Sequence, residues 1–287
     1  MFDKLTYKFN IDQSIEHSTD IPILWLYGRS SISFEPECLK WQIYLLFNNI
    51  NFSLKTINEP KASPNNKLPL LELPHKPSQR AVLLKDDEIR KYVENIQDIP
   101  EADTTELDIL ELVEKQLRSS FLTYFFFMPS TSEQASKLYF PESNDTALVS
   151  VQRSHKFSRL KAALSVEIAK VVNGTDKLEN ASTTLTSLIL SRYFPSDMPY
   201  ESVQIDVDVV DRIAASTLAT LSSKLGSNTW ILGKDKPSFA DATLFAYLYL
   251  TLSLLPPSSH LRRRLTGHIN LTHYTQHIAS DYLKARI

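Results

Sequence analysis

The chain of 287 residues has one cysteine and seven histidines to offer chemistry. Cys38 follows Pro36 at a helix-start pattern, where a helix dipole favours a thiolate. Glu35 and Glu37 flank it and oppose that charge, so the thiol is expected to pack as a small apolar residue. His273 and His277 stand four residues apart and can share a helix face. A metal site needs a third ligand, for which His268 is the nearby candidate, and no adjacent acidic partner is evident. No metal is therefore expected. A lone cysteine also excludes an internal disulfide or a multi-cysteine zinc site. The five glycines, Gly28, Gly174, Gly226, Gly233 and Gly267, are too scattered for a phosphate-binding turn. Ser238-Phe239-Ala240-Asp241 pairs a hydroxyl with a carboxylate at capping-box spacing, which reads as a helix cap and not as a catalytic pair. Arg262-Arg263-Arg264 reads as a solvated face near a helix end, or else as a contact for anionic lipid or an acidic partner loop. The run "FLTYFFFM" (121–128) reads as core packing between helices, with a partner-facing patch as the alternative.

Composition sets the frame for these groups. Hydrophobic residues make up 43% of the chain, ample for a folded core, and the net charge of −2 gives no bulk field for nucleic acid. The first residues lack an apolar signal core, and Asp3, Asp12 and Glu16 argue against a cleaved mitochondrial presequence. The longest uncharged apolar stretch, 242–257, carries Thr, Ser and two Tyr and ends in two prolines, so a buried core helix is expected and not a membrane span.

The elements that must position the candidates are legible in outline. "IPILWLYG" (21–28) reads as a buried strand, and 36–49 as a helix opened by Pro36 and stopped by Asn48-Asn49. "FSLKTI" (52–57) alternates as a strand does. A polar, Pro-rich loop leads to Pro69 and "LPLLEL", followed by a strand at 80–84 and a helix at 86–96 with acidic residues in its first turn. After 97–103 the pattern is helical: 105–128, 147–172, 176–193, 206–225, 239–254 and 269–285. The expected organisation is an extension at 1–19, a small α/β domain at 20–98 and a helical domain at 99–287.

The order β-α-β, loop, β-β-α resembles a thioredoxin-like domain, and the resemblance implies a cis Leu68-Pro69 peptide before the third strand. Together with the capped helix in "WILGKDKPSFADATLFAYLYL" (230–250), the chain is similar over residues 20–285 to glutathione transferases. This implies an α+β, mostly α fold with an N-terminal thioredoxin-like domain and a C-terminal all-helical domain. Such enzymes activate the thiol with a Tyr, Ser or Cys near the end of the first strand. The candidates here are Tyr27, Ser30, Ser31 and Cys38. They hold the γ-glutamyl carboxylate with a serine in a pattern like E-S-x-A-I-x-x-Y-L. Matching Ile89, Tyr92 and Val93 puts Asp86 at the serine and Lys85 at the acid. A carboxylate there repels the ligand's own, so the resemblance implies a degenerate glutathione site at Pro69 and Asp86, with no catalytic residue and no cofactor.

Two stretches resemble the metaxins. Residues 38–73 carry a Cys-Leu helix start and a "KLP" strand entry, and 261–278 carry the pattern His268, Asn270, Leu271, Tyr274 after an Arg-bearing segment. The resemblance implies a non-enzymatic, cytosol-facing subunit of the mitochondrial outer-membrane sorting and assembly machinery that assists insertion of β-barrel precursors. Its implied partners are a barrel-forming subunit, a second metaxin-like subunit and the precursors, with peripheral membrane contact. The chain ends at "YLKARI", soon after the last helix, so an anchorless member is expected. The alternatives are an active glutathione transferase or related thiol enzyme, and a soluble transferase-like interaction module.

Overall fold

Strand β1 (Ile23–Leu26) is buried along its whole length, as an apolar run between two neighbours must be. The computed structural model describes residues 20–28, 30–57, 68–76, 81–141, 147–173 and 203–283. The extension at 1–19 and the helix expected at 176–193 lie outside the described residues. Strand β2 (Ser53–Thr56) pairs parallel with β1, Leu54 beside Leu24. A parallel pair needs a crossover, and α1 (Pro36–Phe47) supplies it. Strand β3 (Leu70–Glu72) pairs antiparallel with β1, and β4 (Leu83–Lys85) pairs antiparallel with β3, giving the order β2-β1-β3-β4. The Leu68-Pro69 peptide is cis, and Pro69 stands just before β3, where no ladder donor is required of it. Helix α2 (Asp86–Gln97) follows β4 directly.

From Thr104 the described chain is helical. Helices α3 (Thr104–Glu111) and α4 (Arg118–Leu122) join through wider π turns at Leu112–Leu117 and Thr123–Phe127, making one rod that matches the expected 105–128. Helix α5 (Pro129–Tyr139) was not expected. Its Ser/Thr-rich first turns carry little apolar periodicity, and Pro129 is not a break but the first helical residue. Helices α6 (Ala147–Val172), α7 (Val207–Leu225) and α8 (Phe239–Leu254) follow the sequence pattern. The short α9 (His260–Gly267) was also missed, because three arginines mask the two buried leucines, Leu261 and Leu265, that seat it. Helix α10 (Ile269–Ile278) runs on into a π turn at Ala279–Leu283.

The sheet-bearing half meets the helical half through α1 and α8. Trp41 and Tyr44 of α1 close on Phe239 with ring centroids 4.9 and 5.0 Å apart. Phe47, at the end of α1, meets Trp230 at 5.5 Å and Tyr282 at 4.8 Å. Burying each such ring contributes about 1.5–3 kcal/mol. The aromatic run is core: Phe121, Phe125 and Phe126 are fully buried, and Phe121 lies edge-on to Tyr247. Helix α8 is buried from Phe239 through Leu248, which explains its lack of a polar face. Among the described residues no helix is long and apolar enough to cross a membrane.

A helix that starts inside the protein needs partners for its first amides. Ser238 and Asp241 meet that need as the sequence spacing predicts. The Ser238 amide and hydroxyl both donate to Asp241 Oδ2, at 2.8 and 2.7 Å, and Ser238 Oγ accepts the Asp241 amide at 3.3 Å. The carboxylate does more than close the box. Its Oδ1 accepts the Ile231 amide at 2.7 Å and the Tyr274 hydroxyl at 2.9 Å. Burial pushes the Asp241 carboxyl up, against the downward pull of its donors on Ile231, Ser238 and Tyr274. Ser238→Ala is expected to cost about 1 kcal/mol. Asp241→Asn is expected to cost about 2–4 kcal/mol, because an amide cannot accept from all four donors and leaves buried ones unmet. Urea denaturation checks both. Midpoints equal to wild type would show that the box does not hold this helix.

Candidate functional site

The end of β1 and the start of α1 form the place where a thiol would be activated. Tyr27 is 1% exposed, with its ring against Phe34 and Tyr139 at 6.4 and 6.3 Å. Cys38 is wholly buried one turn into α1. Its sulfur accepts the Tyr27 amide at 3.4 Å, and its own amide donates to Glu35 Oε2 at 2.7 Å. Burial pushes the thiol well above its ordinary range, and the neighbouring Glu35 adds to that. Desolvation thus exceeds the flanking charge that sequence reasoning weighed, and the thiol packs as a small core residue. Ser30 and Ser31 stay near the surface, with the Ser30 hydroxyl turned onto the Ile32 carbonyl at 3.3 Å. Sequence reasoning passed over Ser33. Its buried hydroxyl donates to the Tyr27 carbonyl and accepts the Glu35 amide at 3.2 Å, so it ties the loop to the strand end.

Glu35 carries the most unusual electrostatics here. It is the N-cap of α1 and wholly buried, and its Oε1 has no hydrogen-bond partner among the described residues. Burial, and then the charge of Glu37, raise its pKa to about 7. The Tyr139 hydroxyl, also buried, has no partner among the described residues either. Next along α1, buried Lys40 bridges Glu37 at 2.7 Å and Glu114 at 3.0 Å. Burial works against its charge, but Glu114 and Glu37 win and hold it protonated. Arg118, on α4, pairs with Glu167 of α6. The ground between the two halves is thus filled by caps, rings and paired charges.

At the other corner, Asp86 is the first residue of α2, half-buried, with a backbone φ of 38°. That left-handed conformation is one an aspartate tolerates better than most residues. Asp87 and Glu88 join it in the first turn, and Glu88 Oε2 accepts the Lys85 amide at 3.1 Å. Three carboxylates at this helix start repel an anionic ligand more firmly than Asp86 alone. A second buried cluster, not foreseen from sequence, joins the strands: Trp25 Nε1 donates to Glu72 Oε2 at 2.8 Å, and His75 meets Glu72 Oε1 at 3.0 Å.

The remaining candidates fall elsewhere. Arg264 forks onto Asp211 of α7, with Nε 2.9 Å from Oδ1, and Arg262 donates to the Leu255 carbonyl at 2.6 Å. Arg263 is exposed. The expected absence of an acidic neighbour for the histidines is corrected: His277 Nδ1 lies 3.1 Å from Asp281 Oδ2, one turn further on. His268 is not the third member of that group, since it forms the junction between α9 and α10. Among the described residues no three His, Cys, Asp or Glu side chains converge as a metal site.

Two outcomes follow. Native Cys38 should not react with a disulfide reagent such as Ellman's on a timescale of minutes, and should react fully once unfolded; fast native reaction would contradict its burial. Glu35 binds a proton in the folded state that the unfolded chain has released above its ordinary pKa of 4.5. Stability from that proton is full below pH 4.5 and is lost as pH rises toward 7, by about 3 kcal/mol in all. Glu35→Gln keeps the capping oxygen and removes the charge. Its stability relative to wild type should therefore climb between pH 5 and pH 8, and a pH-independent difference would refute the buried-proton account.

Comparison with known proteins agrees with this geometry. A family model described as "Glutathione S-transferase N-terminal domain" matches residues 36–130, and one described as "Glutathione S-transferase, C-terminal domain" matches 214–278. Among solved structures, a glutathione transferase of Phanerochaete chrysosporium superposes with a TM-score of 0.55 at 15% identity, over 92% of this chain and 98% of that one. That likeness concerns the fold. Metaxin-1 of Macaca fascicularis is 38% identical over 85 residues, which is 30% of this chain and 26% of the relative. The Arabidopsis thaliana "Mitochondrial outer membrane import complex protein METAXIN" is 33% identical over 72 residues, 25% of this chain and 22% of the relative. The matches thus span about a quarter of each relative's length. With the fold, the two domain models and these local identities in agreement, the chain has a glutathione-transferase-like fold and carries stretches similar to the metaxins.

Proposed function

We propose that this chain is a non-enzymatic subunit of the mitochondrial outer-membrane sorting and assembly machinery, lying on its cytosolic face and assisting the insertion of β-barrel precursors. The observation that carries the reading is its likeness to metaxins, one of which is named for a mitochondrial outer-membrane import complex. The state of the old thiol site supports it. Cys38 is sealed in the core, the Ser33 hydroxyl is held by backbone, and Asp86, Asp87 and Glu88 crowd the turn that would receive a carboxylate. Attachment to the membrane then runs through a barrel-forming subunit and a second metaxin-like subunit. Any direct contact of the Arg262–Arg264 turn with anionic lipid runs through Arg263, since Arg262 and Arg264 are engaged within the fold. Affinity purification of the tagged chain from detergent-solubilised mitochondria tests the reading: it should recover a β-barrel outer-membrane protein in stoichiometric amount. Recovery of cytosolic complexes alone would favour a soluble interaction module.

The competing enzyme reading rests on the retained cis proline and the transferase fold. Titration calorimetry with glutathione separates the two. Wild type is expected to bind no better than millimolar. Two carboxylates about 4 Å apart repel by ~1 kcal/mol in water and by several in a half-buried cleft. With the serine hydroxyl missing as well, this approaches the ~4 kcal/mol between micromolar and millimolar binding. Asp86→Ser should restore binding only in part, because Asp87 and Glu88 stay. Micromolar binding by wild type would revive the thiol enzyme.

A further inference from the structure

The junction between α1 and the helical half holds a buried acid with part of its bonding capacity unspent. Glu35 Oε2 caps α1 through the Cys38 amide at 2.7 Å, while Oε1 is buried with no hydrogen-bond partner among the described residues. Phe34, its neighbour in the chain, lies edge-on to Tyr139 at 5.2 Å, which brings the unpartnered Tyr139 hydroxyl to the same place. The titratable groups around the carboxyl offer it no positive charge: Glu37 and the Cys38 thiol on α1, Tyr27 at the end of β1, Tyr139 on α5 and Tyr247 on α8. The buried cations of this ground are committed elsewhere, Lys40 to Glu37 and Glu114, and Arg118 to Glu167. A buried carboxylate beside a like charge is costly, whereas the protonated group is neutral and can also donate. The loop that covers it is lightly fastened. Ser33 donates to the Tyr27 carbonyl, its amide meets Gln42 Oε1 at 3.3 Å, and Gln42 Nε2 donates to the Ser31 carbonyl at 2.6 Å. These ties all lie within residues 27–42, so the loop can lift while the Asp241 cluster stays formed.

We propose that the proton on Glu35 is a latch: while it is held, the β1–α1 loop stays closed over Cys38, and its loss lets the loop lift from the helical half and uncover the thiol. In the closed form, burial and then Glu37 raise the carboxyl to about 7; in the open form it returns to its ordinary 4.5. The closed form therefore binds the proton more tightly. Its advantage is full below pH 4.5 and is lost as pH rises to 7. The opening equilibrium should accordingly grow about tenfold between pH 6 and pH 8 and level off above that. The device lies in the seam between the two halves and does not depend on which partner the chain serves.

Slow alkylation of the native full chain by iodoacetamide tests the latch, since Cys38 is the single cysteine. Modification is followed by mass spectrometry over hours, and the rate at each pH is divided by that of the urea-unfolded chain. The normalised wild-type rate should rise about tenfold from pH 6 to pH 8. It should hardly change with urea well below the unfolding transition, because a local opening exposes little surface. Glu35→Gln keeps the capping oxygen and should be flat across that range. Glu37→Gln removes the like charge, leaves Lys40 its bond to Glu114, and should move the rise to lower pH; it carries the test should Glu35→Gln fail to fold. The latch would be overturned by a wild-type rate that is undetectable or flat, by the same rise in Glu35→Gln, by an unmoved rise in Glu37→Gln, or by modification that grows with urea as steeply as global unfolding.

Discussion

A single buried carboxylate holds the two halves of this protein in register. Asp241 has no exposure to solvent, yet it gathers the turn before α8 through the Ile231 amide, the start of α8 through Ser238, and α10 through the Tyr274 hydroxyl. Gly233, at a φ of 64°, lets the turn from Trp230 double back to reach it. The cost of burying the charge is met only because every donor arrives together. Phe239 is the first residue of the helix so capped, and it is the ring on which Trp41 and Tyr44 of α1 close. The sheet-bearing half therefore docks on a surface whose position is set by Asp241.

That docking accounts for the chemistry around α1. In a fold able to receive a thiol ligand between its halves, the loop after β1 has to present a group to solvent. Here Tyr27 and Phe34 turn inward against Tyr139, and Cys38 lies in the core. Lys40 reaches across to Glu114, and Arg90 of α2 reaches Glu94 at 2.6 Å and Glu106 of α3 at 3.5 Å. Burying paired charges contributes modestly to net stability, but removing one partner is costly, so such pairs fix one relative placement of the two halves.

The fold was legible where local chemistry dictates it. Pro36, Pro69, Ser238 and Asp241 announced their elements by type and spacing, because capping and the missing proline donor act within a few residues. Helices α5 and α9 were hidden because each depends on a few contacts with distant elements and shows no long apolar stripe. The site was less legible. The burial of Cys38 and the tying of Ser33 are decided by what packs against the β1–α1 loop from the helical half, and no residue count along the chain reports that. The partner of Arg264, Asp211, is fifty-three positions away, so a run of arginines read locally as a solvated face. Asp281 is the opposite case, since it lies at ordinary helical spacing from His277 within the helix expected at 269–285 and was legible from the sequence.

The residues that carried the resemblance to the metaxins turn out to be parts of this same frame. Asn270 receives the Ser222 hydroxyl at 2.8 Å and donates to the carbonyls of Ser222 and Gly226, which ties off the end of α7. Leu271 is buried, His268 joins α9 to α10, and Tyr274 completes the Asp241 cluster. A pattern made of such clamps is restricted by geometry, since Asn270 must meet the carbonyls at the end of α7 and Tyr274 a buried carboxylate. It therefore identifies how the helical half is assembled.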